Sequence, residues 1–182
     1  MKFTISKTRI EGAFLFKPKI YNDSRGLFFE SFNAQEFEKT IGQKLSFPQD
    51  NQSKSRRGVL RGLHFQTSPP QGKLVRVIQG KIFDVCVDLR KNSATFGLWH
   101  AEEISAENHR IFWCPPGTAH GFLTLSETAT VCYKVTEYWN SESEQTIMWN
   151  DKTLAIKWPL TENIYLSKKD SNALPFEKVS HF

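Results

Sequence analysis

The stretch Ala129–Val135 alternates residue by residue. Ala129, Val131, Tyr133 and Val135 are apolar or aromatic, while Thr130 and Lys134 between them are polar. A period of two is the signature of a strand with one buried face, and the pattern runs on to Trp139. Further short runs between turn residues read as strands at Ala13–Pro18, Gly58–Gln66, Leu98–Glu103, Arg110–Cys114 and Thr146–Trp149. Lys73–Ile78 and Lys81–Leu89 flank Gln79-Gly80 and read as a hairpin with Gly80 in its turn. That makes about eight strands, enough for a double-sheet jelly roll. One helix is expected, capped by Asn33, with Glu36 at capping-box spacing and Gly42 at its end. The expectation is an all-β sandwich or barrel with a few short helices, and 182 residues suit a single domain over 1–182.

Several function classes fall away. There are 24 Lys and Arg against 19 Asp and Glu, a net charge of +5, which favours an anionic ligand. The basic residues are scattered rather than blocked, so no nucleic-acid arm is expected. No apolar run approaches the roughly 20 residues of a membrane helix, and the opening MKFTISKTRIEG lacks the apolar core of a secretory signal. A cytoplasmic chain without membrane partners is the expectation. Cys86, Cys114 and Cys132 form no CxxC pair, which argues against a disulfide framework or a thiolate zinc site. Neither GxGxxG nor GxxxxGK[ST] occurs, so the phosphate cradles of α/β nucleotide folds are missing.

Some polar residues stand where chemistry is possible. His64, in Gly58–Gln66, has a side chain suited to proton transfer near neutrality, although a lone strand histidine is more often a core residue. Arg61 is three residues away, so strict alternation puts it on the opposite face. The two share a pocket only if Gly62 marks a bulge. Lys73 shares parity with Val75 and Val77, which points an ammonium group inward or lets it snorkel at the barrel mouth. Tyr133 shares parity with Val131 and Val135, as a core tyrosine or an inward proton donor. His120 lies in Pro115–Phe122, which reads as a loop. No third ligand stands at metal spacing from His64 and His120, so no metal is expected. Arg25, Arg61, Lys73 and Lys169 suit phosphate oxygens, or are ordinary solvated charges.

Taken together, ordered stretches of this chain resemble the dTDP-4-dehydrorhamnose 3,5-epimerases of the RmlC type. They include Asp23-Ser-Arg-Gly-Leu-Phe-Phe-Glu-Ser-Phe32, Gln49-Asp-Asn-Gln-Ser53, Gly58-Val-Leu-Arg-Gly-Leu-His-Phe-Gln66 and Gln71-Gly-Lys-Leu-Val-Arg-Val77. Asp84-Val-Cys-Val-Asp-Leu-Arg90, Pro115-Pro-Gly-Thr-Ala-His-Gly-Phe122, Tyr133-Lys-Val-Thr136 and Leu166-Ser-Lys-Lys-Asp170 continue the series. The likeness runs from about residue 2 to 175.

The resemblance implies a cupin-type jelly roll, a homodimer and an epimerisation that uses no cofactor. The implied substrate is dTDP-4-dehydro-6-deoxy-D-glucose, a dTDP-linked 4-keto-6-deoxyhexose, converted to the L-rhamno 4-keto sugar. It implies His64 as proton acceptor, Tyr133 as proton donor, Asp170 as the carboxylate orienting the histidine, and Lys73 facing the keto oxygen with His120 close by. Arg25, Glu30, Gln49, Asn51, Arg61, Glu144 and Lys169 match substrate-contacting positions. Two departures stand out: Thr118 where the family usually has Phe, and Trp139 where many members carry an aromatic hydroxyl. Both are expected to reshape the sugar pocket, and a C3-only or C5-only epimerase of another deoxysugar is the alternative. A non-catalytic sugar-binding cupin would lose the acid and base, and a metal-dependent cupin enzyme would need a third ligand. For assembly, the aromatic segment Phe14–Phe16 is the candidate to cover a sheet edge across subunits.

Overall fold

The structure is a computed structural model and describes residues 2–182. In chain order its elements are β1 (Phe3–Lys7), β2 (Phe14–Pro18), β3 (Tyr21–Asp23), β4 (Gly26–Phe28), α1 (Ala34–Ile41), β5 (Gln49–Arg56), β6 (Leu60–Gln66) and β7 (Lys73–Gln79). There follow β8 (Lys81–Asp88), β9 (Trp99–Ser105), β10 (Ile111–Cys114), β11 (Thr118–Thr124), β12 (Thr128–Val135), β13 (Glu144–Thr146) and α2 (Lys168–Ser171). One antiparallel sheet runs β1-β2-β10-β7-β12-β5, and the other runs β13-β6-β11-β8-β9. The sheets stack as a jelly roll, as the strand pattern requires. β3 and β4 form a separate two-stranded hairpin.

Three apolar layers hold this sandwich. Val75, Val77, Phe112, Ala129 and Val131 of the first sheet meet Ile82, Cys86, Ile104 and Phe122 of the second between the sheets. The outer face of the first sheet is covered by α1, whose Phe37 packs 5.0 Å from the Trp113 ring and 5.6 Å from Phe16. Asn33 accepts a hydrogen bond from the Glu36 N–H and Gly42 closes the helix in the left-handed region, as its cap residues demand. The outer face of the second sheet is covered by the chain after β13, through Leu154, Ile156, Trp158, Phe176 and Val179. Each such side chain contributes about 1.5–3 kcal/mol by leaving water.

Four expectations need correction. β7 and β8 are consecutive but do not pair: β7 lies between β10 and β12, and β8 between β11 and β9. Gly80 instead turns the chain from one sheet into the other. Its φ is +75°, and a Cβ there would stand 2.0 Å from the Thr128 carbonyl oxygen. Residues 118–124 are not loop but strand β11, fully buried. The alternating strand ends at Val135, leaving Trp139 in an irregular segment, 58% exposed. Finally, Phe14–Phe16 has no free backbone edge with which to pair a partner's strand, because β2 pairs with β1 on one side and β10 on the other.

Candidate active site

The two sheets do not fill their interior evenly. At the β5, β12 and β6 end the inward positions are polar, and they enclose a cavity of about 390 Å³. Gln49, Asn51 and Ser53 reach it from β5, Lys73 from β7 and Tyr133 from β12. Arg61, His64, Phe65 and Gln66 reach it from β6, His120 and Phe122 from β11, and Glu144 from β13. Trp139 and Lys169 lie at its lining as well.

Arg61 and His64 share this cavity because β6 is bulged. His120 pairs with His64 and Phe122 with Arg61, so three steps on β6 match two on β11. Gly62 occupies the bulge at φ +116°. A Cβ there would lie 2.6 Å from the Gly121 Cα, so only glycine lets the strands approach this closely.

His64 Nε2 lies 2.6 Å from Asp170 Oδ1. Asp170 is held by its own surroundings: its second oxygen accepts from the Ser167 hydroxyl at 2.8 Å, and that hydroxyl also caps α2. Burial pushes the Asp170 carboxyl up, but its bonds to His64 and Ser167 outweigh this and hold it below the usual range. An ionised carboxylate behind the imidazole fixes the ring's tautomer and stabilises a proton on it. Tyr133 faces the cavity from the other sheet. Burial raises its phenol pKa against the pull of Arg61, so it stays protonated near neutrality.

Lys73 is 7% exposed, and burial pushes its ammonium below the ordinary lysine range. His120, buried in the same cavity lining, lies 2.7 Å from Asp84 Oδ1. Asp84 is fully buried, and burial drives its carboxyl up despite His120. The cavity rim is more solvated. Glu144 pairs with Lys169 at 2.8 Å, which holds its carboxyl low although burial opposes this. Arg61 donates to Ser55 at 3.0 Å. Such a cavity sets an imidazole and a phenol on opposite sheets, with a buried ammonium in the same lining and more exposed cations, Arg61 and Lys169, beside them.

A family model described as dTDP-4-dehydrorhamnose 3,5-epimerase covers residues 7–178. The chain belongs to that family. It is 52% identical over 170 residues to the dTDP-4-dehydrorhamnose 3,5-epimerase of Salmonella typhimurium, covering 93% of each chain. It is 50% identical over 177 residues to that of Pseudomonas aeruginosa, covering 97% of this chain and 98% of the relative. Among solved structures it is similar to the Legionella pneumophila dTDP-6-deoxy-D-glucose-3,5-epimerase in complex with dTDP-4-keto-L-rhamnose. There the TM-score is 0.95 and the identity 48%, over 98% of this chain and 95% of that one. The fold is therefore the cupin jelly roll of these epimerases.

Two expected site residues lie elsewhere. Arg25 sits in the β3–β4 turn, its side chain 88% exposed and paired with Asp23 at 2.6 Å. Glu30 pairs with Lys2 and accepts from Asn33 at 2.9 Å. Neither lines the cavity of its own chain. Thr118 also stays away: it is buried and donates to the Pro115 carbonyl at 2.7 Å, so only Trp139 of the two departures shapes the lining. Residue reading passed over Asp84, Ser167, Gln66 and Gln71. Asp84 carried a signal, an acid at the inward parity of a strand that buries Cys86. Ser167 carried another, as the first member of Ser-x-x-Asp before a helix.

Proposed function

We propose that this enzyme, an isomerase by family, converts dTDP-4-dehydro-6-deoxy-D-glucose to dTDP-4-dehydro-L-rhamnose by inverting C3 and C5. The observation that carries this reading is the pair His64 and Tyr133, set on opposite sheets and lining one cavity with the buried Lys73. A C4 ketone acidifies the hydrogens on C3 and C5, since loss of either leaves an enolate with its charge on the C4 oxygen. His64, backed by Asp170, takes the proton from one face. The Lys73 ammonium, with His120 beside it, stabilises the oxyanion. Tyr133 gives a proton to the other face, and the centre inverts. Gln49, Asn51, Arg61, Glu144 and Lys169 hold the sugar and the diphosphate. Each acid–base group supplies about 10²–10⁴-fold.

We infer further that two copies of the chain form the working unit. The β3–β4 hairpin leaves Tyr21, Leu27 and Phe28 50%, 52% and 67% exposed, and a lone two-stranded hairpin is barely stable in water. A partner surface over this hairpin supports it and brings Arg25 and Glu30 to a neighbouring cavity. Residues 1–182 act as one unit in this reading, because Asp170 from the C-terminal part completes the His64 pair on β6. Among the described residues no helix is long and apolar enough to cross a membrane. The free thiols at Cys86, Cys114 and Cys132 suit a reducing cytoplasm.

The test is proton NMR in D₂O with the 4-keto nucleotide sugar. Exchange and inversion at both C3 and C5 are expected. Exchange at only one position makes the enzyme a single-centre epimerase, and exchange at neither overturns the assignment.

A further inference from the structure

The segment from Glu137 to Asn140 leaves β12 in one sheet and leads to β13 in the other, and its Trp139, 58% exposed, belongs to the cavity lining. It belongs to no ladder, so its backbone groups must find other partners. Three glutamine side chains supply them. Gln71 Nε2 donates to the Glu137 carbonyl at 2.8 Å. Gln66 Nε2 donates to the Tyr138 carbonyl at 3.1 Å, and its Oε1 accepts from the Asn140 N–H at 3.1 Å. Gln49 Oε1 accepts from the Trp139 N–H at 2.9 Å. Gln66 does more: the same amide donates to the Pro69 carbonyl at 2.8 Å, tying this strap to the loop before β7. Gln66 is 3% exposed and Gln71 9%, so neither amide can exchange these partners for bulk water.

We propose that Gln66, seconded by Gln71, is a positioning residue that holds this strap and thereby sets the mouth of the cavity. What the strap presents is the Trp139 indole, the one strap side chain in the cavity lining. A large flat ring at a rim beside the Lys169–Glu144 pair suits the non-reacting end of a substrate that carries an aromatic base and negative charge. Gln66 therefore acts on substrate affinity through the strap and leaves proton transfer, deeper in the cavity, to other groups. This rests on the nucleotide-sugar reading above.

The experiment uses Gln66→Met and Gln71→Met, which keep side-chain length and remove the amide. With wild type shown to turn over the 4-keto nucleotide sugar, Gln66→Met should raise KM about tenfold, with kcat within about twofold. Tenfold is the equivalent of one net hydrogen bond's worth of ordering. Gln71→Met, which loses one bond rather than three, should raise KM less. Hydrogen–deuterium exchange should show the 137–140 amides of Gln66→Met exchanging at least about tenfold faster, with β12 unchanged. An unchanged KM with faster strap exchange would overturn the proposal, as would a fall in kcat at constant KM. Should Gln66→Met fail to fold, Gln71→Met decides: raised KM with a faster strap supports it, and wild-type KM with a faster strap sinks it. If wild type itself shows no turnover, the functional reading fails, and the exchange result alone judges the strap.

Discussion

Replacing Lys73 by methionine removes one buried charge and keeps an unbranched side chain of similar length. Lys73 is 7% exposed and makes no side-chain hydrogen bond or ion pair among the described residues, so its ammonium is poorly compensated. Burial pushes its folded pKa below the unfolded value of 10.5. Between those two values the unfolded chain binds more protons than the folded one, so wild-type stability rises as pH climbs through that window. Below the window the full cost of burying the charge applies. Methionine abolishes that cost, worth about 1–3 kcal/mol. For a chain of this size that corresponds to about 2–4 °C in Tm per kcal/mol. The same change removes the cation proposed to face the enolate oxygen. By the scale of oxyanion-hole donors that costs about 2.7–4 kcal/mol of barrier, or roughly 10²–10³ in kcat. Calorimetry at pH 7 and pH 10 together with turnover at pH 7 reads all of this. Lys73→Met should melt higher at pH 7, show a smaller advantage at pH 10, and be nearly inactive. A lower Tm at pH 7, or turnover within tenfold of wild type, would refute the reasoning.

His64→Ala should abolish solvent exchange at both C3 and C5, and near-normal exchange by NMR would end its assignment as the base. Asp170→Asn should slow turnover by about 10–100-fold, the worth of a charge-assisted hydrogen bond, with little change in substrate affinity in a binding titration. Tyr133→Phe should keep slow deuterium entry from the His64 face while inversion suffers more. Normal product stereochemistry with a Tm lowered by the equivalent of about 1–3 kcal/mol would make it a core residue instead. Light scattering should report twice the 21.0 kDa chain mass, and Phe28→Asp should shift it to monomer, whereas a wild-type monomer at micromolar concentration contradicts the dimer.

The sequence by itself determined the elements whose signals are local. Alternation placed Tyr133 inside, because side chains of a strand must point to opposite faces whatever lies around them. Asn33 and Gly42 bounded α1, because capping and left-handed φ are properties of a few adjacent residues. Even so, β5 left no trace. Gln-Asp-Asn-Gln-Ser-Lys-Ser-Arg has no apolar residue, since its inward side chains line a polar cavity and its strand stands at a sheet edge. Gly80 could be read as a turn but not as a corner between sheets, since its local conformation serves both. Whether Arg61 and His64 share a face hung on the Gly62 bulge, which exists only because β11 passes at contact distance. The decisive pairing, His64 with Asp170, joins residues 106 apart. The absence of Arg25 and Glu30 from their own chain's cavity is likewise a fact of placement. Such contacts are set by how the sheets stack and where the C-terminal segment lands on them, and no pattern of neighbours along the chain encodes a distance in space.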